Sequence, residues 1–311
     1  MKKTVFFYLL VIILAFSING CRNKTTPCAH PSWGAWIYSA NICTTSGTRT
    51  RTCSNCPEIQ IEYISALGHD HSIFISTTAT CTVSGNTTYQ CSRCDHINIK
   101  PEAAFGHDHF ESLICKRDNC THQYSLGDTG PGGGRIFYVA DGVGGRYPFT
   151  LFMHATDTLG ITAHYLEVAP AHFPPTFAWA SGTGWNTLIP NLSQNSTDET
   201  DWAIGRGKKN TAIIIAHGSN SNPAYSTPAA TACVEYAVSG FETFKGDWFL
   251  PSRNELHQLF INRVAVGGTF QVYLSSSQSS ANHAWRQNLN SGAQVFDSKN
   301  VSAFARAIRA F

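Results

Sequence analysis

In the second half of the chain, apolar positions recur at the spacing of either a helix or a strand. The clearest helical pattern begins after a tryptophan-containing strand. Residues 248–250 predict a short buried strand that stops at a proline. Ser252 is suited to cap the helix that follows, and Glu255 completes a capping box three residues later. The predicted apolar face of this helix consists of Leu256, Leu259, Phe260 and Val264.

Runs of β-branched and aromatic residues predict strands in the rest of this half. These runs are residues 135–140, 147–154, 163–168, 272–276, 283–289, 294–296 and 303–311. One further helix is expected within residues 209–217, with Asn210 as its N-cap, and another begins at Thr227-Pro228. Strands interrupted by a few helices indicate an α+β fold.

The longest apolar run lies at the N-terminus. Residues 5–18 follow the positive Met1-Lys2-Lys3 and are too few for a comfortable membrane span, which is typical of an export signal. Residues 17–21, Ser-Ile-Asn-Gly-Cys, resemble a bacterial lipobox. That resemblance implies removal of residues 1–20, acylation of Cys21 and a lipid-anchored tether over residues 21–27. The alternative is an ordinary secretory signal cut near Gly20.

The composition is typical of proteins that lie outside the cytoplasm. Charged residues make up 14% of the 311 residues, against about 25% in average soluble proteins. Serine, threonine, asparagine and glycine occupy the remaining polar positions. The net charge of +2 gives no reason to expect nucleic acid as a partner. With the anchor, we expect a protein of the bacterial cell envelope, in the outer membrane or at the cell surface.

Cysteines are concentrated in residues 28–123, where the sequence repeats with a period of 38. The pairs in register are Cys43 with Cys81, Gly47 with Gly85, Cys53 with Cys91, Cys56 with Cys94, and His69-Asp70-His71 with His107-Asp108-His109. The residues in register therefore run from Cys43 to His71 in the first repeat and from Cys81 to His109 in the second. Cys115 and Cys120 indicate a partial third unit. Such units resemble the short cysteine-rich repeats found in tandem on bacterial surface proteins, which implies a spacer of small β/turn modules.

Two chemistries, or a mixture of both, fit these repeats. Thiolates and imidazoles at these spacings suit tetrahedral zinc, and small units need such a staple. An exported chain also favours disulfides, and Cys43–Cys53 and Cys81–Cys91 could each close a hairpin. Histidines that recur in register favour a metal site, because a disulfide framework would not require histidines at those positions. The candidate residues, for metal or disulfide, are Cys28, His30, Cys43, Cys53, Cys56, His69, His71, Cys81, Cys91, Cys94, His107, His109, Cys115 and Cys120.

An ordered set of motifs in residues 124–311 carries a family resemblance. The motifs are residues 127–138, 164–170, 247–256, 273–277, 284–285 and 306–311. They resemble the Lcl C-terminal domain family, named for the C-terminal domain of a collagen-like bacterial adhesin. The resemblance implies a C-type-lectin-like module whose first strand, 135–140, pairs with the last, 303–310. That adhesin binds sulfated glycosaminoglycans and forms trimers, so a glycan ligand and a homotrimer are implied as well.

The module offers two candidate ligand-binding patches. Arg206, Lys208 and Lys209 form a basic cluster that suits sulfated or carboxylated sugars, although a solvated surface loop is the favoured interpretation. Trp285 and Arg286 form the second patch. Arg286 stands where a lectin-type calcium site would need an oxygen ligand, so we expect no metal in this module.

The arginines near the C-terminus are expected to finish the core. Arg306 and Arg309 should pair with buried carboxylates such as Glu255 or Asp247.

Catalytic signatures are missing from the sequence, so we expect no enzyme. There is neither a Gly-x-Ser-x-Gly elbow nor a His-Glu-x-x-His motif, and Cys233 stands alone as a small buried hydrophobe. The leading hypothesis is a surface lipoprotein whose head binds a glycan or an extracellular protein. The alternative is a structural envelope protein with metal-binding repeats and a head that mediates assembly.

Overall fold

The computed structural model describes residues 32–192, 203–220, 225–267 and 271–311. Cys21, Cys28 and His30 lie outside these ranges, as do the predicted signal and tether. The chain divides into two compact units: residues up to Ala79 with Ser84–Ala103, and Thr80–Val83 with Ala104–Phe311. Within the ranges just given, no helix combines the length and the apolar character needed to cross a bilayer.

The first unit contains two three-stranded antiparallel sheets that repeat the sequence period. Their strands are β1 (Ile37–Tyr38), β2 (Gly47–Thr52) and β3 (Ile59–Ile64), then β4 (Ile73–Thr77), β5 (Gly85–Gln90) and β6 (Ile97–Glu102). Both β5 and β6 begin and end 38 residues after β2 and β3. The predicted β/turn character of the repeats is therefore what the chain adopts here.

This unit has little apolar interior. Among its described residues, the buried hydrophobic ones are Cys43, Cys53, Cys91 and Ala79. The alternating isoleucines of β3 and β6 face outward, and Ile59, Ile61, Ile97 and Ile99 are each more than half exposed. Sulfur, not hydrocarbon, occupies the centre of the repeats.

The second unit is an α+β module with several small sheets. Its strands are β7 (Arg135–Val139), β8 (Phe149–Leu151), β9 (Ile161–Ala163), β10 (Tyr165–Val168), β11 (Phe177–Ala178), β12 (Val272–Gln278), β13 (His283–Asn288), β14 (Gln294–Ser298), β15 (Ser302–Ala303) and β16 (Ile308–Ala310). β12, β13 and β14 form a meander, β8 pairs with β9, and β11 pairs with β15.

The predicted pairing of the module's first and last strands is wrong. β10 lies between them, in a sheet of order β16-β10-β7, with Leu166 opposite both Ala310 and Tyr138. The two ends therefore share a sheet without touching each other's backbone. The predicted last strand is also shorter than expected, because the chain leaves extended pairing between β15 and β16.

Four α-helices lie within the described part of this unit: α1 (Gly207–Asn220), α2 (Pro228–Glu235), α3 (Arg253–Ile261) and α4 (Arg263–Val266). The capping box of α3 is formed on both sides, since Ser252 accepts from the Glu255 N–H and Glu255 accepts from the Ser252 N–H. Val264 is 82% exposed because α3 ends at Ile261, so its predicted place on the apolar face is wrong.

Asn210 does not cap α1, which begins three residues earlier at Gly207; its amide instead donates to Ser276 Oγ at 3.4 Å. The core behind the helices contains fully buried Trp179, Trp248 and Phe249.

Candidate metal centres

Four side chains from three separate stretches of the chain converge in the first unit. One ligand atom from each of Cys43, His69, Cys91 and Cys94 lies within 4.8 Å of the others. The Sγ atoms of Cys43 and Cys91 are 3.6 Å apart, and Cys94 Sγ is 3.3 Å from His69 Nδ1. We call this group the first tetrad.

These separations match the edges of a zinc tetrahedron. Zn–S bonds of about 2.3 Å at the tetrahedral angle place two sulfurs about 3.8 Å apart, and a sulfur and a nitrogen about 3.6 Å apart. A disulfide would require about 2.05 Å. Three thiolates and one imidazole form a common structural zinc set. The donor set and its spacing therefore fit a structural metal.

Backbone geometry places the ligands. Gly68 has φ of 71°, which a glycine adopts at low cost, and its N–H donates to Cys43 O at 2.9 Å. His69 is thereby placed next to Cys43. Two backbone N–H groups, from Asp70 and Arg93, donate to Cys91 Sγ at 3.3 and 3.5 Å. Such N–H···S bonds stabilise a thiolate in a metal knuckle.

A second tetrad has the same plan in the second unit. Its members are Cys81, His107, Cys115 and Cys120. Cys81 Sγ and Cys115 Sγ are 3.8 Å apart, and His107 Nδ1 is 3.3 Å from Cys120 Sγ. Gly106, with φ of 70°, donates to Cys81 O as Gly68 does to Cys43 O.

The turn between the last two cysteines is two residues longer in the second tetrad than in the first. Cys115 and Cys120 are separated by four residues, whereas Cys91 and Cys94 are separated by two. The longer turn includes Asn119 at a positive φ of 59°. The partial third unit thus completes a site even though it lacks most of a repeat.

Each tetrad takes its ligands from two successive repeats. Cys43 and His69 come from the first repeat, while Cys91 and Cys94 come from the second. The second tetrad likewise combines Cys81 and His107 with the cysteines of the third unit. Sequence spacing alone favours sites within one repeat, so this sharing between neighbours appears only in the structure.

Within each tetrad the thiols differ in their readiness to ionise. Burial raises the pKa of Cys91, but N–H donation from Arg93 and Asp70 outweighs it and lowers the value to about 5. Cys115 follows the same logic, with donors Arg117 and Asp108, and its pKa falls to about 6. Hydrogen bonding to Cys94 is the main reason that the pKa of Cys43 rises to about 11.

The hairpin disulfides considered from the sequence do not form. Cys43 lies beside Cys91 and Cys81 lies beside Cys115, in neither case bonded sulfur to sulfur. Cys53 and Cys56 hold the positions in the first repeat that Cys91 and Cys94 hold in the second. They are outside both tetrads.

The second tetrad is built onto the C-terminal module. His107 packs edge-on against Tyr124, 6.4 Å between centroids, and Tyr124 meets Tyr165 at 5.5 Å. Tyr165 stacks on Phe311 at 5.1 Å and donates its hydroxyl to Leu113 O. A cluster of rings therefore connects this site to β10 and to the C-terminus.

The basic cluster predicted to bind sugars is largely engaged with protein groups. Lys208 Nζ is 3.2 Å from an Asp247 oxygen, and Lys209 Nζ donates to Asp157 O at 2.6 Å. Arg206 and Lys209 both lie over the ring of Phe152, at 4.7 and 5.2 Å from its centroid. Lys208 is neutralised, whereas Arg206 and Lys209 flank one aromatic ring.

Trp285 and Arg286 lie in the β12–β14 meander. Arg253 lies over the indole of Trp285 at 3.7 Å, and Arg286 is 5% exposed, with an ion pair to Asp297 at 3.0 Å. Arg286 lines an open groove of about 470 Å³ together with Thr176, Gln271 and Phe304. The Arg286 guanidinium pairs with the protein's own carboxylate and donates to backbone carbonyl oxygens.

The C-terminal arginines stabilise the core, with partners that differ in part from expectation. Arg309 binds buried Glu167 at 2.7 Å and lies 3.7 Å from Asp247. Arg306 donates to Ala169 O and Pro170 O. The predicted partner Glu255 instead accepts backbone N–H groups from Gly205 and Ser252.

Two histidines near the tetrads were missed as candidates. His96 and His122 lie beside the paired histidines of the repeats. The available signal was Cys-x-His, which occurs at Cys94 and again at Cys120.

Comparison with known proteins gives little. No family model matches the chain, so the Lcl resemblance is unsupported by that route. No curated protein matches it significantly either. Among solved structures, the chain is similar to a fimbrial protein from Bacteroides ovatus ATCC 8483, with 11% identity and a TM-score of 0.37. That match covers 74% of this chain and 57% of the other. A likeness at this score carries no inference about fold or function.

Proposed function

We propose that this chain is a bacterial surface protein in which metal-stapled Cys/His repeats present an α+β binding module. The observation that carries the proposal is the pair of tetrads, each joining successive repeats through three sulfurs and one imidazole. A repeat whose strands leave their isoleucines exposed has too little hydrocarbon to fold alone. Metal at each junction supplies that stability and makes the array a spacer.

The envelope location rests on the sequence. A charged start, an apolar run and the lipobox-like residues 17–21 support export and acylation of Cys21. A lipid anchor followed by a spacer and a terminal module is the arrangement of a protein that reaches away from a membrane. The C-type-lectin-like character of the module, a homotrimer and the absence of enzymatic activity belong to this proposal as well.

The metal part of the proposal is tested on protein purified without reductant or chelator. Zinc is counted by mass spectrometry and free thiols by alkylation. We expect bound zinc with unoxidised cysteines, and loss of about one equivalent on Cys91→Ala. Cys233→Ala is the matched control, because Cys233 is buried in the module's apolar core. Oxidised cysteines without metal would favour a disulfide framework and overturn this part.

For the module, the best-supported ligand is an anionic glycan. Arg206 and Lys209 both lie over the ring of Phe152, which brings two neighbouring cations together for a sulfated sugar. Heparin binding should weaken at least several-fold in the Arg206→Ala/Lys209→Ala double variant. Lys208→Ala should change it less, because Asp247 already neutralises Lys208. Equal effects, or no heparin binding by the parent chain, would exclude this ligand class.

One observation favours assembly as a second candidate function. The outward faces of β3 and β6 repeat the same exposed isoleucines, with Tyr63 82% exposed beside them. Exposed apolar rows on edge strands promote association. Sedimentation of the parent chain and of an Ile59→Thr/Ile97→Thr variant distinguishes the two functions. A concentration-dependent oligomer that the variant abolishes would support assembly.

A further inference from the structure

Each tetrad is accompanied by a cluster of three histidines. In the first unit, one ring nitrogen from each of His69, His71 and His96 lies within 4.8 Å of the others. His71 Nε2 and His96 Nδ1 are 2.9 Å apart, and the ring of His96 stacks on that of His69 at 3.9 Å. We call these residues the first histidine triad.

The second unit repeats the arrangement. Its triad is His107, His109 and His122. His109 Nε2 and His122 Nδ1 are 3.1 Å apart, and the rings of His107 and His122 stack at 3.6 Å. The same nitrogens, Nε2 of the second histidine and Nδ1 of the third, face each other in both units. A geometry that recurs despite the longer turn between Cys115 and Cys120 is not an accident of one loop.

Each triad shares one histidine with its tetrad, and its other two histidines lie outside the thiolate site. His69 and His107 turn Nδ1 toward Cys94 and Cys120, and neither of the other two histidines in each triad belongs to a tetrad. A tetrad is already complete with four ligands. His71, His96, His109 and His122 therefore supply nitrogen donors that the structural metal does not need.

The paired nitrogens are close to metal-ligand spacing. Two imidazole nitrogens on one zinc, with bonds of about 2.0–2.1 Å, lie about 3.3 Å apart in a tetrahedron and about 2.9 Å apart at a right angle. Imidazole clusters suit zinc, copper and nickel. His96 is exposed, so a cation can reach the first triad from solvent without opening the fold.

We infer that each histidine triad is a second metal site, which binds a divalent transition cation, zinc foremost, beside the thiolate-held structural metal. Nε2 of His71 and Nδ1 of His96 are the primary ligands in the first unit, and His109 and His122 have those roles in the second. Water completes the coordination, since the triads offer no sulfur. This second site goes beyond the spacer function, because the repeats would also bind metal ions reversibly from the surrounding solution.

The experiment counts zinc on the full chain. Protein is dialysed against rising concentrations of free zinc, and bound metal is measured by mass spectrometry. We expect a tight plateau from the thiolate sites, followed by further equivalents at higher zinc. His71→Ala/His96→Ala should remove one of the later equivalents, and His109→Ala/His122→Ala another, with the tight plateau unchanged. His154→Ala, which removes an exposed histidine of the module, is the matched control.

The tight plateau also serves as the folding check. Zinc-edge anomalous scattering from crystals should show a peak between His71 and His96 besides the one at the first tetrad. A single plateau that the histidine variants leave intact would overturn the inference and leave a hydrogen bond between neutral imidazoles. Loss of tight zinc in those variants would overturn it too, by showing that the histidines serve the tetrads.

Discussion

Different interactions stabilise the C-terminal module and the first unit of this chain. The C-terminal module buries Trp179, Trp248 and Phe249 behind its sheets and helices, and its stability comes from hydrocarbon removed from water. The first unit buries chiefly cysteine and leaves the isoleucines of its strands exposed. Its strands are arranged around a few polar ligand atoms, which a bound metal would join.

The difference teaches how the two regions should respond to change. A packed core loses a few kcal/mol when one side chain is truncated, because many contacts remain. A unit organised around one tetrad depends on four atoms, so loss of any one of them has a disproportionate effect. The following predictions use that contrast, starting with the largest effect.

Removing metal should separate the regions most clearly. Structural zinc in small domains contributes on the order of 10 kcal/mol of folding free energy. Chelation or Cys43→Ala should therefore expose residues 32–103 to proteolysis, while the helical circular dichroism of the module persists. Protection of the repeats that survives complete chelation would show that they fold without metal.

Truncating the core should do the reverse. Trp248→Ala should lower the module's free energy of unfolding by about 3–5 kcal/mol, because a fully buried indole leaves a cavity. Urea unfolding monitored by helix signal measures this, and zinc content should be unchanged. Trp285→Ala is the matched control: that ring is partly exposed, with Arg253 lying over it and Phe296 meeting it edge-on. An equal cost for both would contradict the core assignment.

Acidity should affect the module through Glu255. Burial raises the pKa of this carboxyl to about 7, so the folded state keeps a proton that the unfolded chain releases near pH 4.5. The corresponding stability is fully present at acidic pH and is lost as pH rises toward 7, by up to roughly 3 kcal/mol.

Glu255→Gln should be less stable at pH 5, where it loses an acceptor for backbone N–H groups, yet vary less between pH 5 and 8. Urea unfolding at several pH values measures both effects. An unchanged pH dependence in the variant would assign the titration to another group.

The smallest effect concerns a helix cap. Ser252→Ala should cost about 1 kcal/mol, because the hydroxyl that accepts from the Glu255 N–H is removed. Thermal unfolding should show a fall of a few degrees. Thr227→Ala should cost less, since Thr227 makes no side-chain cap bond at the start of α2. A larger loss at Thr227 would show that packing, not capping, governs these ends.

Local rules succeeded where neighbours in sequence decide the outcome. The capping box at Ser252 and the proline start of α2 depend on residues within one turn. The 38-residue period is kept by β2 and β5 and by β3 and β6, because equal local sequences adopt equal local conformations. The cap at Asn210 failed because α1 extends back to Gly207, whose N–H is held by buried Glu255.

Long-range choices were beyond those rules. The placement of β10 between β7 and β16 depends on which edges pack best over the core, and Cys43 pairs with the next repeat's knuckle instead of its own. The sequence alone determined the donor types, their repeat and the positions of turns, because these are properties of short stretches. Only the tertiary structure decided which donors meet, because a ligand set closes through contacts between segments that sequence distance does not rank.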